Sequence, residues 1–254
     1  PSSVGGIIQG ADGRGDRASA SARAGRRVAL IAGPGLATIS GEPAMTTPPT
    51  ILIGRSSSHF TRVARIFALE LGVPHGFQVV RDLLSTAPED YGGNPALRIP
   101  VLQTARGAWF GALNICRELQ RMSTSAARVV WPEDLREPLL ADALELTTQA
   151  MATEVGLVMG RLGGTDEQAP HLKKMRESLL GTLAWLEANV EAALAGLPPE
   201  RDLSFLEVTL LCLVEHLEFR EVLPTSGYAA LTRFCGQFGA RSAAAATRFR
   251  FDPV

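Results

Sequence analysis

The sequence predicts an α/β domain followed by an all-helical bundle, and three observations predict it. Residues 50–122 alternate short β-branched runs with helix-period segments. From residue 131 onward the apolar residues keep the helical period alone. A polar stretch, Ser123–Val130, separates the two patterns.

Thr50–Ile53 is a brief apolar strand. From Phe60 the period becomes helical: Phe60, Val63, Ala64, Phe67, Ala68 and Leu71 share one face, while Arg62, Arg65 and Glu70 lie elsewhere. Gly72 and Pro74 stop that helix. Phe77–Val80 is a second strand, and Leu83–Tyr91 is expected to be a short, irregular helix. Gly92–Pro95 is a loop. Pro100–Thr104 and Ala108–Phe110 are strands about the turn at Arg106-Gly107. Ala112–Met122 returns to helix with Ile115, Leu119 and Met122 inward. The order is strand, helix, strand, helix, strand, strand, helix, which is that of a thioredoxin-like domain.

In the second domain, Leu139, Ala143, Leu146 and Ala150 mark one inner face. Gly163-Gly164 breaks that helix. Leu172 to Ala193 marks a long second one. Leu203–Phe219 is apolar on nearly every side, as suits the centre of a bundle. It opens with Ser204-Phe205-Leu206-Glu207, which predicts a capping box. Tyr228, Leu231, Phe234, Cys235 and Phe238 form a last amphipathic helix.

Composition excludes several classes. The formal net charge of -1 leaves no basic field for nucleic acid. No apolar run is long enough to span a bilayer. The 3 cysteines, Cys116, Cys212 and Cys235, are widely spaced in apolar helical settings, so buried thiols in a reducing cytoplasm are expected. The 4 histidines, His59, His75, His171 and His216, show no HxxxH pair, and no metal site is expected. Residues 1–48 are expected to be a disordered extension, poor in large apolar groups, with a natural start at Met45. The domains are then residues 49–122 and 131–245.

The chemistry is expected at Arg55-Ser56-Ser57-Ser58-His59-Phe60. A strand-to-helix junction presents unpaired amides and the positive end of the helix dipole, which together stabilise an anion. A hydroxyl there stabilises a bound thiolate against its thiol, whose free pKa is about 8.5. A serine at this place thus need not be a nucleophile; it activates a thiol that the ligand brings. Downstream, Ile99-Pro100 opens the third strand. A cis bond there turns the backbone of Ile99 toward the helix start, where it pairs with an extended peptide ligand.

Three segments carry a family resemblance. Ser58-His59-Phe60-Thr61-Arg62…Arg65 resembles the SPYVRKVR-type opening of bacterial serine-class glutathione transferases. Asn94–Leu102 resembles their NPxxxVPVL segment, and Ser204–Glu207 the SxAD cap of their helical domain. The similarity runs through about residues 50–240. It implies a thioredoxin-like glutathione-binding domain, an all-α domain, glutathione as co-substrate, a small electrophilic or hydrophobic second substrate, and a homodimer. It implies Ser58 as the thiol-activating residue and Ile99 as the backbone clasp, with Ser56 and Ser57 as fallbacks. The candidate glutathione-binding set is Ser56, Ser57, His59, Arg98, Ile99, Pro100, Gly111, Ala112 and Asn114.

The chain departs from that pattern twice. Gly111-Ala112 stands where the family carries an acidic residue and a serine that hold the γ-glutamyl end. Each lost hydrogen bond to a charged group costs about 1.5–3 kcal/mol. His59 replaces the proline after the serine; it is read as a solvated first-turn residue, with contact to a ligand carboxylate as the alternative. The implied function is a detoxifying transferase. The alternative is a binding module of the same fold that has lost tight glutathione binding. Trp131, Met151, Val155 and Met159 are read as core, with a role in lining the substrate pocket as the alternative.

Overall fold

The computed structural model describes residues 50–253; the expected extension of residues 1–48 lies outside them. Strand β1 (Ile51–Gly54) is the second strand of a four-stranded sheet. It runs parallel to β2 (Gly76–Val79) and antiparallel to β3 (Val101–Thr104), which pairs antiparallel with β4 (Gly107–Phe110). The spatial order is β2-β1-β3-β4. Helix α1 (His59–Glu70) follows β1, and α2 (Ala112–Met122) follows β4. The expected helix within Leu83–Tyr91 is only a 3-10 turn, Pro88–Tyr91. Pro88 at its first position and Gly92 beyond it, at φ 64°, confine it to that length.

Gly54 is required by close packing at the end of β1. A Cβ there would stand 2.5 Å from the Thr61 side chain in the first turn of α1. The strand and the helix start are therefore pressed together at the turn that carries Ser58.

The linker is more ordered than its composition suggests. Within it, β5 (Val129–Val130) pairs parallel with β6 (Leu203–Ser204), which tethers the linker to the bundle. The bundle comprises α3 (Pro138–Leu162), α4 (Pro170–Gly196), α5 (Phe205–Phe219), α6 (Ala229–Phe238) and α7 (Ser242–Ala246). Helix α5 is the central one: twelve of its residues, Phe205 to Val214 with His216 and Leu217, are buried. Its N-cap is Ser204, whose Oγ accepts from the Glu207 amide at 3.0 Å. The predicted capping box closes differently. The Glu207 carboxylate accepts from the Ser204 hydroxyl at 2.7 Å and from both Nε and Nη2 of Arg201, because the guanidinium offers two charged donors.

One core joins the sheet helices to the bundle. Phe67 on α1 is fully buried, stacks on Trp131 at 5.5 Å and meets Phe205 of α5 at 6.0 Å. Arg62, 1 % exposed, crosses the same junction. It donates to Glu215 at 2.6 Å and to the carbonyl of Ala244 at 3.2 Å, and its guanidinium lies over the Phe249 ring. A buried guanidinium is tolerable only with such partners.

Candidate active site

Helix α1 begins at a polar turn. Ser58 is its N-cap, in an extended conformation, and its Oγ accepts from the Thr61 amide at 3.3 Å. The hydroxyl hydrogen of Ser58 has no partner among the described residues. Nor do the His59 and Phe60 amides, and the first turn holds no acidic side chain. No acidic side chain of α1 itself offsets the positive end of the helix.

The loop facing it is shaped by Asn94, which is buried. Its Oδ1 accepts from the Ala96 amide at 3.0 Å, and its Nδ2 donates to the Arg98 carbonyl at 2.8 Å. The Ile99–Pro100 bond is cis. Neither the N–H nor the C=O of Ile99 is hydrogen-bonded among the described residues. It is a short open strand edge of the kind an extended peptide completes.

Helix α2 supplies a second open N-terminus. Its N-cap is Gly111, at φ 82°, and has no capping side chain. The amides of Ala112, Leu113 and Asn114 have no acceptor among the described residues. Asn114 turns its Nδ2 back onto the Phe110 carbonyl at 3.2 Å, which leaves its Oδ1 open.

These pieces line one cavity of about 1010 Å³. Ser57, Ser58, His59, Arg98, Ile99, Pro100, Gly111, Ala112 and Asn114 all reach its wall. Ser56 does not. It is 1 % exposed, its Oγ accepts from Arg65, and its amide donates to Asp252 at 2.8 Å. The C-terminal segment, which lies against this side of the turn, takes Ser56 out of the candidate set. On the bundle side Val155 and Met159 line the cavity, whereas Trp131 and Met151 lie in the core.

His59 corrects the sequence reading most. It is not solvated: it is 1 % exposed. Its Nδ1 lies 3.1 Å from Glu154 Oε2 and 3.1 Å from His216 Nδ1. His216 Nδ1 stands 2.7 Å from Glu154 Oε1, and its Nε2 donates to the Ser57 carbonyl at 2.9 Å. Helices α3 and α5 roof the first residue of α1 and bury it. Burial pushes the His59 imidazole down to about 4, against the raising effect of its bond to Glu154. Burial pushes Glu154 up, but the hydrogen bonds from His216 and His59 outweigh it, and the carboxyl titrates below its ordinary range. Glu154 and His216 were beyond sequence reasoning, since 62 residues separate them and neither lies in a motif.

The cavity is electropositive. Arg55, Arg98 and Arg220 line it, and none forms a salt bridge among the described residues. Arg220 is held below the ordinary guanidinium range by burial and by the like charge of Arg55.

A thioredoxin-like domain with a serine-capped first helix and a cis-proline loop, facing a helical bundle across a deep cavity, defines the glutathione transferase fold. Residues 57–122 match the family model of the glutathione S-transferase N-terminal domain. A glutathione transferase family member from Pseudomonas fluorescens Pf-5 with bound glutathione is similar at 20% identity and TM-score 0.65, over 81% of this chain and 100% of that one. A glutathione S-transferase from Methylobacillus flagellatus KT with GSH bound is similar at 18% identity and TM-score 0.63, over 79% and 100%. One from Methylobacterium radiotolerans JCM 2831, in complex with glutathione sulfonate, is similar at 20% identity and TM-score 0.60, over 81% and 97%. No curated protein matches the sequence. Residues 57–122 are thus similar to the glutathione S-transferase N-terminal domain, and the fold of the described residues is the glutathione transferase fold.

Proposed function

We propose that the protein binds glutathione on its first domain and activates its thiol for attack on a small electrophile held against the bundle. The observation that carries this reading is the free hydroxyl hydrogen of Ser58 beside the open His59 and Phe60 amides at the start of α1, on one cavity wall with the open backbone of Ile99. The cysteinyl backbone of glutathione adds to Ile99 as a strand would. That placement sets its sulfur at the α1 N-terminus, where Ser58 donates to the thiolate. The γ-glutamyl carboxylate takes the Ala112, Leu113 and Asn114 amides. Those amides stand in for the acidic and serine side chains that Gly111-Ala112 lacks. Arg98 offers charge to the glycyl carboxylate.

The apolar reach of Val155, Val158 and Met159 suits the electrophile. Bound glutathione in the similar solved structures supports the reading. The three buried cysteines fit a reducing, cytoplasmic setting, and no helix among the described residues is long and apolar enough to cross a membrane. A twofold homodimer is the expected assembly; size-exclusion at monomer mass contradicts it.

The second reading is a non-catalytic binding or interaction module of the same fold that has lost tight glutathione binding. Gly111-Ala112 favours it, because that end of the site has backbone donors and no charged side chain. A glutathione-affinity column separates binding from its loss, and turnover of a generic aryl halide separates enzyme from module. Retention, release by free glutathione and turnover support the transferase. Flow-through supports the module.

A further inference from the structure

The cluster under the cavity wall has chemistry that thiol activation does not use. Glu154 is fully buried, His59 1 % exposed and His216 5 % exposed. They come from α3, α1 and α5, so the fold brings them together from three helices. The Ser57 carbonyl can only accept, so His216 Nε2 carries a hydrogen and its Nδ1 presents a lone pair toward the cluster. That lone pair faces a carboxylate oxygen at 2.7 Å. Two acceptors at such a distance need a positive centre between them, either a proton or a metal ion. His59 Nδ1 turns to the same point, while its Nε2 is buried without a partner among the described residues.

We infer that His59, Glu154 and His216 form a binding site for one divalent first-row transition ion of the zinc type. Two imidazole nitrogens and one carboxylate group are a donor set of that class. Ligand atoms held tetrahedrally at the 2.0–2.1 Å of a zinc–imidazole bond stand about 3.3 Å apart. Here the two imidazole nitrogens stand 3.1 Å apart, and each faces its own oxygen of Glu154, Oε2 at 3.1 Å from His59 and Oε1 at 2.7 Å from His216. These separations fall a few tenths of an ångström short, and small side-chain rotations open the site.

The bond from His216 to the Ser57 carbonyl is the outer contact that fixes a ligating imidazole in one tautomer. It also ties the site to the turn carrying Ser58. Both histidines line the cavity and Glu154 lies behind them, so the fourth position faces the cavity. The unpaired Arg55 and Arg220 near that wall oppose a bare dication. They favour an anion, such as hydroxide or a thiolate, at the fourth position. The site does not depend on glutathione binding, and the two are tested apart.

The test is titration of the chelator-stripped full chain with Zn²⁺ by calorimetry and with Co²⁺ by visible absorbance. One ion per chain is expected, with the intense bands of four-coordinate cobalt and a melting temperature raised by the ion. His216→Gln and Glu154→Gln, checked for folding by circular dichroism, are expected to weaken binding by roughly a hundredfold. A double His75→Ala, His171→Ala variant is expected to bind as the parent does. Absence of binding by the parent overturns the inference, and so does binding that survives both cluster substitutions. In the first case protons alone fill the junction.

Discussion

Ser58 and Thr61 are joined by a hydrogen bond in which the serine oxygen only accepts, from the Thr61 amide at 3.3 Å. The serine's own hydrogen is left to point elsewhere. One side chain thus caps α1 and keeps a donor beside the helix's positive end. The proposed chemistry follows from that division of labour between lone pair and proton.

The division makes Ser58 separable by substitution. Ser58→Ala removes cap and donor together. It is expected to cost about 1 kcal/mol of stability and to lower turnover of a generic electrophile by about tenfold or more, one tenfold step being 1.4 kcal/mol. Ser58→Asp keeps a cap but puts a negative charge beside the thiolate, so stability holds while turnover falls further. Thermal melts and steady-state rates on the same samples read both. Turnover unchanged in Ser58→Ala removes the residue from the mechanism.

Phe67 sits where the two halves meet, fully buried between Trp131 and Phe205. Phe67→Ala is expected to destabilise the fold by about 3–5 kcal/mol, read as a shift of the denaturant midpoint. A loss below about 1 kcal/mol would place the ring outside the joint core.

The three cysteines are expected to be inert in the native protein. Burial pushes Cys116 well up, Cys212 to about 12 and Cys235 further still. The thiolate is the reactive form. A disulfide reagent at neutral pH should therefore find no fast thiol until denaturant is added, and then find three. A rapid native reaction contradicts the burial.

Acid should weaken the fold through the same cluster. In chelator-treated protein His59 titrates near 4 when folded against 6.5 when free, and Glu154 also titrates below its free value. Both groups hold fewer protons folded than unfolded. Their contribution is present above the free values and falls as pH falls, from 6.5 downward for His59 and below 4.5 for Glu154. The melting temperature is expected to drop across that window. His59→Phe is expected to flatten the part above pH 4.5, and an unchanged profile would contradict the assignment.

What the sequence made legible was local. The face of Phe60, Val63, Ala64 and Phe67 falls within one helix and the Ile99-Pro100 pair lies directly before β3, so periodicity and motif exposed them. Ser58 was legible because an N-cap is defined by its own next three residues. The rest depended on distant chain. Ser56 looked equivalent to Ser58 until Asp252, 196 residues on, took its amide. His59 reads as solvated because a first-turn residue normally is. Only α3 and α5 bury it, and its partners lie 95 and 157 residues away. The Glu207 carboxylate missed its predicted amide because Arg201, just outside the cap motif, was the stronger donor.

Thiolate ultraviolet absorbance reports the ionisation state of the bound sulfur most directly. Glutathione bound to the parent protein is titrated with pH beside Ser58→Ala. The bound thiol pKa is expected at least about one unit below the free value near 8.5, with a return toward that value in the variant. Bound glutathione that stays a neutral thiol at pH 7 in the parent, or ionises alike in both proteins, contradicts the proposed thiol activation.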